Sequence, residues 1–215
     1  MDPELFILKI PAILIALTIH EFAHGWMALK LGDPTARDAG RLTFNPVAHY
    51  DLIGTTMAIF LSFGWAKPVP VNGNNFHKPK RDLFLVSVAG PASNILVAMF
   101  FGYFFRIFEA AFPSLAVQQH LSLFVSLVIM LNILLSFFNL LPIPPLDGSK
   151  ILMSLLPDKW VPGYIEKSRH LPLILLILIL MDYYIPNLNL FSKIFYPLYE
   201  PYSSFWNGLI MGRFF

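Results

Sequence analysis

The chain has 215 residues, of which 56% are hydrophobic and only 13% charged, with a mean hydropathy of +0.63; a soluble globular domain carries about 25% charged residues, so this composition belongs to a membrane protein. A net charge of +2, with no basic run interleaved with aromatics, argues against a nucleic-acid partner. There is no cysteine, so disulfides and thiolate metal sites are excluded, and any metal must be held by His, Asp or Glu.

A window of about 20 apolar residues, the length that crosses a bilayer as a helix, picks out four candidate spans. The first, residues 5–31, is interrupted only by Lys9, Pro11 and the run His20-Glu21-Phe22-Ala23-His24. Lys9 precedes only part of the apolar run and no small-residue cleavage site follows, so the segment reads as an uncleaved membrane helix. Residues 32–82 are the most polar region, with Arg37, Arg41, Lys67, Lys78, Lys80 and Arg81. Inside it, residues 52–65 are apolar but only about as long as a re-entrant segment, and residues 65–71 have extended character from their Pro/Val alternation. The second span, residues 83–108, carries Gly90, Pro91, Ser93 and Asn94 in its middle. The third, residues 121–141, ends in Pro142-Ile143-Pro144-Pro145, and the fourth, residues 171–185, is short and almost purely Leu and Ile. Residues 190–215 are rich in proline and in aromatics such as Tyr196, Tyr199, Tyr202 and Trp206, which reads as an interfacial belt more than a crossing. No internal repeat or low-complexity tract is visible.

Basic residues concentrate in 32–82 and in 149–170, where Lys150, Lys159, Lys167 and Arg169 lie, and are nearly absent from 108–120. The positive-inside rule then places the first two stretches in the cytoplasm and the third outside. A crossing by residues 52–65 would break this alternation, which favours re-entry. The expected architecture is an all-α polytopic membrane protein. Three of the spans lie within residues 5–150, with a small extended or re-entrant region between the first two and further helix in residues 151–215. All 215 residues are read as one integral membrane domain.

The chemistry starts at His20-Glu21-Phe22-Ala23-His24. An HExxH on a helix puts two imidazoles at i and i+4 on one face, the spacing that grips a zinc ion, and the glutamate between them can act as general base towards an activated water. Ionisable residues inside a membrane helix are costly, which makes them candidates for function. His20 and His24 fall towards the cytoplasmic end of the first span, and Asp147 falls just past the cytoplasmic end of the third. Two histidines and one carboxylate leave a fourth position open, as in a catalytic zinc site. An Asp-Gly pair after prolines is also an ordinary turn signal, and Asp147 alone would leave both readings open. The extended HExxHxxGxxH form is absent, since Met27 and Lys30 stand where it needs Gly and His. A thermolysin-like glutamate is absent too, because no Glu occurs between Glu21 and Glu109.

The chain resembles the site-2 protease family of intramembrane zinc metalloproteases in three places. These are the HExxH, the run Asn139-Leu140-Leu141-Pro142-Ile143-Pro144-Pro145-Leu146-Asp147-Gly148, which matches an NxxPxPxLDG pattern, and Gly90-Pro91-Ala92-Ser93-Asn94. The resemblance implies one zinc held by His20, His24 and Asp147, Glu21 as base, and transmembrane protein substrates cut near the cytoplasmic side of a prokaryotic cell membrane. It also implies a three-helix catalytic core over about residues 5–150, and that Asn139 lies near the substrate or the developing oxyanion. The runs Gly40-Arg41-Leu42-Thr43-Phe44-Asn45-Pro46 and 65–71 are similar to the compact prokaryotic subgroup. Unlike larger members, the sequence shows no helix before the HExxH span, no PDZ domain and no nucleotide-binding (CBS) pair.

Simpler readings stand beside these. Asn139 could instead bond the broken helix end before Pro142. Gly90 and Asn94 could serve close helix approach and bonding across helices, with a place for Asn94 near substrate or oxyanion as the further reading. His49, His77, His120 and His170 read as polar rim, His49 with Asp51 as a remote second metal site, and residues 64–72 as a loop or as a strand-adding edge for substrate. A divalent-metal transporter and an inactive scaffold are the alternatives to a protease. The transporter would need Glu21 as a ligand, and the scaffold would have no need of it.

Overall fold

The computed structural model describes residues 3–61, 64–112, 118–185 and 187–212, so part of the 52–65 segment, part of the 108–120 loop and the last three residues of the 190–215 segment lie outside the described residues. Among the described residues three helices are long and apolar enough to cross a membrane: α1 (Pro3–Lys30), α4 (Pro79–Ala111) and α5 (Gln118–Leu140). They are the three spans expected of the core. Between α1 and α4 come a single turn, α2 (Thr35–Asp38), and the short α3 (Leu52–Leu61).

Small residues let the three long helices meet. Ala12 of α1 packs with Val97 of α4 and with Leu127 and Val128 of α5. Along α4 the buried positions Val86, Gly90, Asn94, Ala98 and Gly102 recur every four residues, so one face turns inward. The opposite face is apolar as well, with Leu96, Phe100, Phe104 and Ile107 each 58–70% exposed. In water such a stripe would be a liability; it fits a lipid surround.

Ten residues of α3 rise only about 15 Å, half the thickness of a bilayer core. The chain then returns, because the Trp65 N–H donates to Gly54 O at 3.3 Å in the first turn of α3. The following segment, 65–71, is extended but pairs with no strand among the described residues. Its Lys67 N–H donates to His49 O at 3.0 Å and its Lys67 O accepts from Arg41 Nη2 at 2.7 Å. Fully buried Asp33, just past α1, accepts from Asn72 N and Asn75 Nδ2, both at 2.7 Å, and from the Thr35 hydroxyl. Burial opposes its ionisation, but the hydrogen bonds from Thr35, Asn75 and Asn72 outweigh it and hold the carboxyl below the ordinary range.

After α5 come α6 (Asp147–Leu155), α7 (Val161–Ser168), α8 (Leu171–Tyr184) and α9 (Leu190–Met211). Two expectations are corrected here. The fourth candidate span is α8, whose 14 residues rise only about 21 Å, too short to cross alone. Residues 190–211 of the 190–215 segment form a 22-residue helix that packs on the core, a docking not expected of an interfacial belt. Its Ile210 is fully buried among Ile95, Ala98, Val125, Ile129 and Ile133, and Tyr199 and Tyr202 lie against Phe137 of α5. The Tyr202 hydroxyl also pairs with Ser136 Oγ at 2.8 Å, which satisfies a phenol that hydropathy scores as polar.

Candidate metal centre

Two helical turns of α1 set the site. The i, i+4 spacing brings the His20 and His24 rings to 4.6 Å between centroids, nearly perpendicular to each other. Each ring is fixed from behind. His24 Nδ1 lies 2.7 Å from the carbonyl oxygen of Val86 on α4, which can only accept, so Nδ1 carries the proton. His20 Nδ1 lies 2.7 Å from Asn94 Oδ1. The Asn94 amide is itself oriented, because its Nδ2 donates to Ala16 O at 3.1 Å and to Asn132 Oδ1 at 2.8 Å. Its Oδ1 therefore faces His20, and His20 Nδ1 must donate.

With both Nδ1 atoms protonated, the neutral rings present Nε2 lone pairs to the same space. The two Nε2 atoms are 3.0 Å apart, and Asp147 Oδ2 lies 2.9 Å from that of His24 and 3.2 Å from that of His20. All three residues are buried, at 4–7% exposure. Their ligand atoms all fall within 4.8 Å of one another, the only such group among the described residues. Three converging lone-pair donors repel one another, and a divalent cation or a shared proton relieves that. The set of two imidazoles and one carboxylate is the chemistry zinc accepts, so the residues fit the metal.

Asp147 arrives through a break in the chain. Helix α5 ends at Leu140, the prolines of 142–145 prevent its continuing, and α6 starts at Asp147 itself. A Cβ on Gly148 would sit 2.3 Å from the carbonyl oxygens of Leu140 and Leu141, so only glycine lets the new helix abut the old one. Lys150, one turn on, reaches Asp147 Oδ1 at 3.3 Å and leaves Oδ2 for the histidines. Gly90 supplies clearance on the remaining side: a Cβ there would lie 2.4 Å from His24 Nε2 and 2.7 Å from His20 Cε1.

Glu21 stands apart from the cluster. Its Oε2 accepts from the Val69 N–H at 2.8 Å. Val69 is flanked by Pro68 and Pro70, so it holds the only N–H of that tripeptide, and that donor goes to Glu21. In extended chain, alternate residues turn their N–H groups to opposite edges; those of Lys67 and Val69 are taken by His49 O and Glu21, and Pro68 and Pro70 offer none on the other edge. Residues 64–72 are thus a strap over α1 and a poor template for adding a substrate strand.

The remaining expectations divide. Asn94, raised as a possible oxyanion donor, has both amide hydrogens committed to Ala16 and Asn132, and it positions His20 instead. Asn139 donates to Leu135 O at 3.0 Å, bonding its own helix near the break. His49 is buried and bonds Thr43 O at 2.9 Å, while Asp51 Oδ1 accepts from Gly54 N at 2.7 Å, so the two form no metal group. Sequence reasoning missed Asn132, Lys150 and the Val69 N–H. Asn132 carried a usable signal, being a polar residue two turns before Asn139 in an apolar span. A backbone donor leaves none.

The chain is similar in sequence to known proteins. The profile of peptidase family M50 matches residues 104–180, which contain α5 and Asp147. Over 205 residues the chain is 40% identical to the "Putative zinc metalloprotease YwhC" of Bacillus subtilis, covering 86% of this chain and 91% of that one. It is 33% identical over 147 residues to the "Putative zinc metalloprotease Rip2" of Mycolicibacterium smegmatis and 32% over 149 residues to that of Mycobacterium tuberculosis, each match covering 66% of this chain and 55% of the relative. The chain thus spans just over half the length of the mycobacterial proteins. No solved structure matches it. A membrane-helix core with this donor set, and a relative matched over nearly its whole length, place the chain in peptidase family M50, the site-2 protease family of metallopeptidases.

Proposed function

We propose that the protein is an intramembrane zinc endopeptidase that binds one zinc per chain and cuts transmembrane protein substrates near the cytoplasmic face of the cell membrane. The observation that carries this is the convergence of His20 Nε2, His24 Nε2 and Asp147 Oδ2 inside a bundle of membrane-length helices. Bound zinc would acidify a water to a pKa of about 7 and polarise the scissile carbonyl. The protein supplies the rest. Asn94 and the Val86 carbonyl hold the imidazoles in the ligating tautomer. Val69 anchors Oε2 of Glu21, leaving Oε1 to take the proton of the attacking water and hand it to the leaving amine. The broken chain at 141–146 lets water approach from the side where basic residues concentrate.

The test is zinc content per chain of purified wild type, His20→Ala, Asp147→Ala and Glu21→Gln, with cleavage of a reconstituted transmembrane substrate. The expected result is one zinc in wild type and Glu21→Gln, none in the other two, and a loss of about 10²–10⁴-fold in turnover for Glu21→Gln. Zinc lost from Glu21→Gln would make Glu21 a ligand and favour metal transport. Zinc retained by Asp147→Ala would remove the three-ligand site.

A further inference from the structure

A cavity of about 270 Å³ opens where two of the membrane-length helices end together. It is lined by Leu29, Lys30 and Leu31 at the end of α1, by Gly32, and by His77, Lys78, Arg81 and Asp82 at the start of α4. Gly32 makes the turn possible: its φ of +103° suits glycine, and His77 lies against it. Lys30, Lys78 and Arg81 are exposed, and among the described residues none of the three forms an ion pair. The one acidic lining residue, Asp82, is 3% exposed, and its Oδ2 is taken by the Lys78 N–H at 2.8 Å. The end of α1 disfavours an anion and the start of α4 favours one, so the two helix dipoles offset and the side-chain charges decide.

Depth in the membrane narrows the choice of ligand. Both helices qualify as spans up to these residues, Glu4–Lys30 and from Pro79 onward, so the cavity sits at headgroup level. Trp26, 44% exposed and one turn before Lys30, has the Lys30 ammonium 5.5 Å from its ring centroid, an aromatic and cation pair suited to the interface. Half-buried Leu29 and Leu31 add apolar wall beside the cations. Three cations at one mouth, apolar wall below and an interfacial tryptophan match a phosphate on a glycerol whose chains continue into lipid.

We infer that this cavity is a binding site for the headgroup of an anionic phospholipid, held by Lys30, Lys78 and Arg81. The site lies outside the metal centre and does not depend on catalysis. It also gives those positive charges a specific role beyond topology.

The test uses the full-length protein in detergent micelles, titrated with phosphatidylglycerol or phosphatidylcholine and read as lipid-bound mass by native mass spectrometry. Wild type is expected to retain one phosphatidylglycerol in preference to phosphatidylcholine, with retention falling as salt rises. The triple variant Lys30→Gln, Lys78→Gln, Arg81→Gln should bind on the order of 100-fold more weakly, from roughly fivefold per basic side chain near a membrane surface. A variant with Lys159→Gln and Lys193→Gln, exposed lysines away from the cavity, should bind as wild type does. If the triple variant does not fold, the single variants carry the test, each expected at about a fivefold loss. Equal retention of the two lipids, or undiminished binding in the triple or single variants, would overturn the inference. So would displacement by free glycerol 3-phosphate at the affinity of the lipid, which would mark a site for a soluble anion.

Discussion

His20 and His24 make sense only with the groups behind them. An imidazole in lipid can carry its proton on either nitrogen, and the hydrogen bonds of Val86 and Asn94 remove that freedom. Asn94→Ala should leave His20 without its Nδ1 partner and weaken zinc binding by about 10–100-fold, measured by competition with a chelator. Asn132→Ala should give a smaller loss in the same assay, because it acts only by orienting Asn94. Gly90→Ala should be more damaging than its one added methyl suggests, since that methyl would sit 2.4 Å from His24 Nε2. The expected outcome is a folded protein that retains little zinc. The spacing of His20, Glu21 and His24 was legible because one helix writes its own geometry into the sequence. Asn132 was harder to read, because its partner lies 38 residues away on another helix.

The strap of residues 64–72 shows how an irregular segment can be fixed without pairing into a sheet. Arg41 and His49 hold it at Lys67, Asp33 holds it at Asn72, and Val69 between them reaches Glu21. Replacing Val69 with proline removes that one N–H and leaves the residue aliphatic. Turnover should fall about 10–100-fold, the scale of a lost hydrogen bond to a charged group, with zinc content unchanged. Asp33 makes the attachment depend on pH. Its folded pKa is below the unfolded one, so its contribution is present above the ordinary carboxylate range and is lost as pH falls through the folded value. Thermal unfolding in detergent should therefore show an acid-side drop in stability that Asp33→Asn flattens.

The bundle as a unit extends beyond the three core helices. Helix α9 docks along α4 and α5, and it can do so because Gly102 has no side chain: a Cβ there would approach Ile210 Cγ2 to 2.1 Å. Gly102→Leu should push α9 away and cost about 1–3 kcal/mol by overpacking, seen as a lower unfolding temperature. Hydropathy gave no sign that this helix packs on the core, because its tyrosines, serines and prolines dilute the apolar signal, although neighbours such as Ser136 satisfy the polar groups. It overrated α8 for the opposite reason, since a run of Leu and Ile scores high whatever its length.

Composition, the length of three apolar runs and the HExxH spacing were enough to read a membrane-embedded metal site, because each is a property of local chain. The pairing of Asp147 with His20 and His24 could be anticipated from topology and family resemblance, but its 2.9 and 3.2 Å contacts come from packing across helices. The tautomers of the two rings, the donor from Val69 to Glu21, the clearance at Gly90 and the docking of α9 all depend on which backbone atoms approach which side chains. That information is not local to any segment, so folding had to bring the partners together before it could be read.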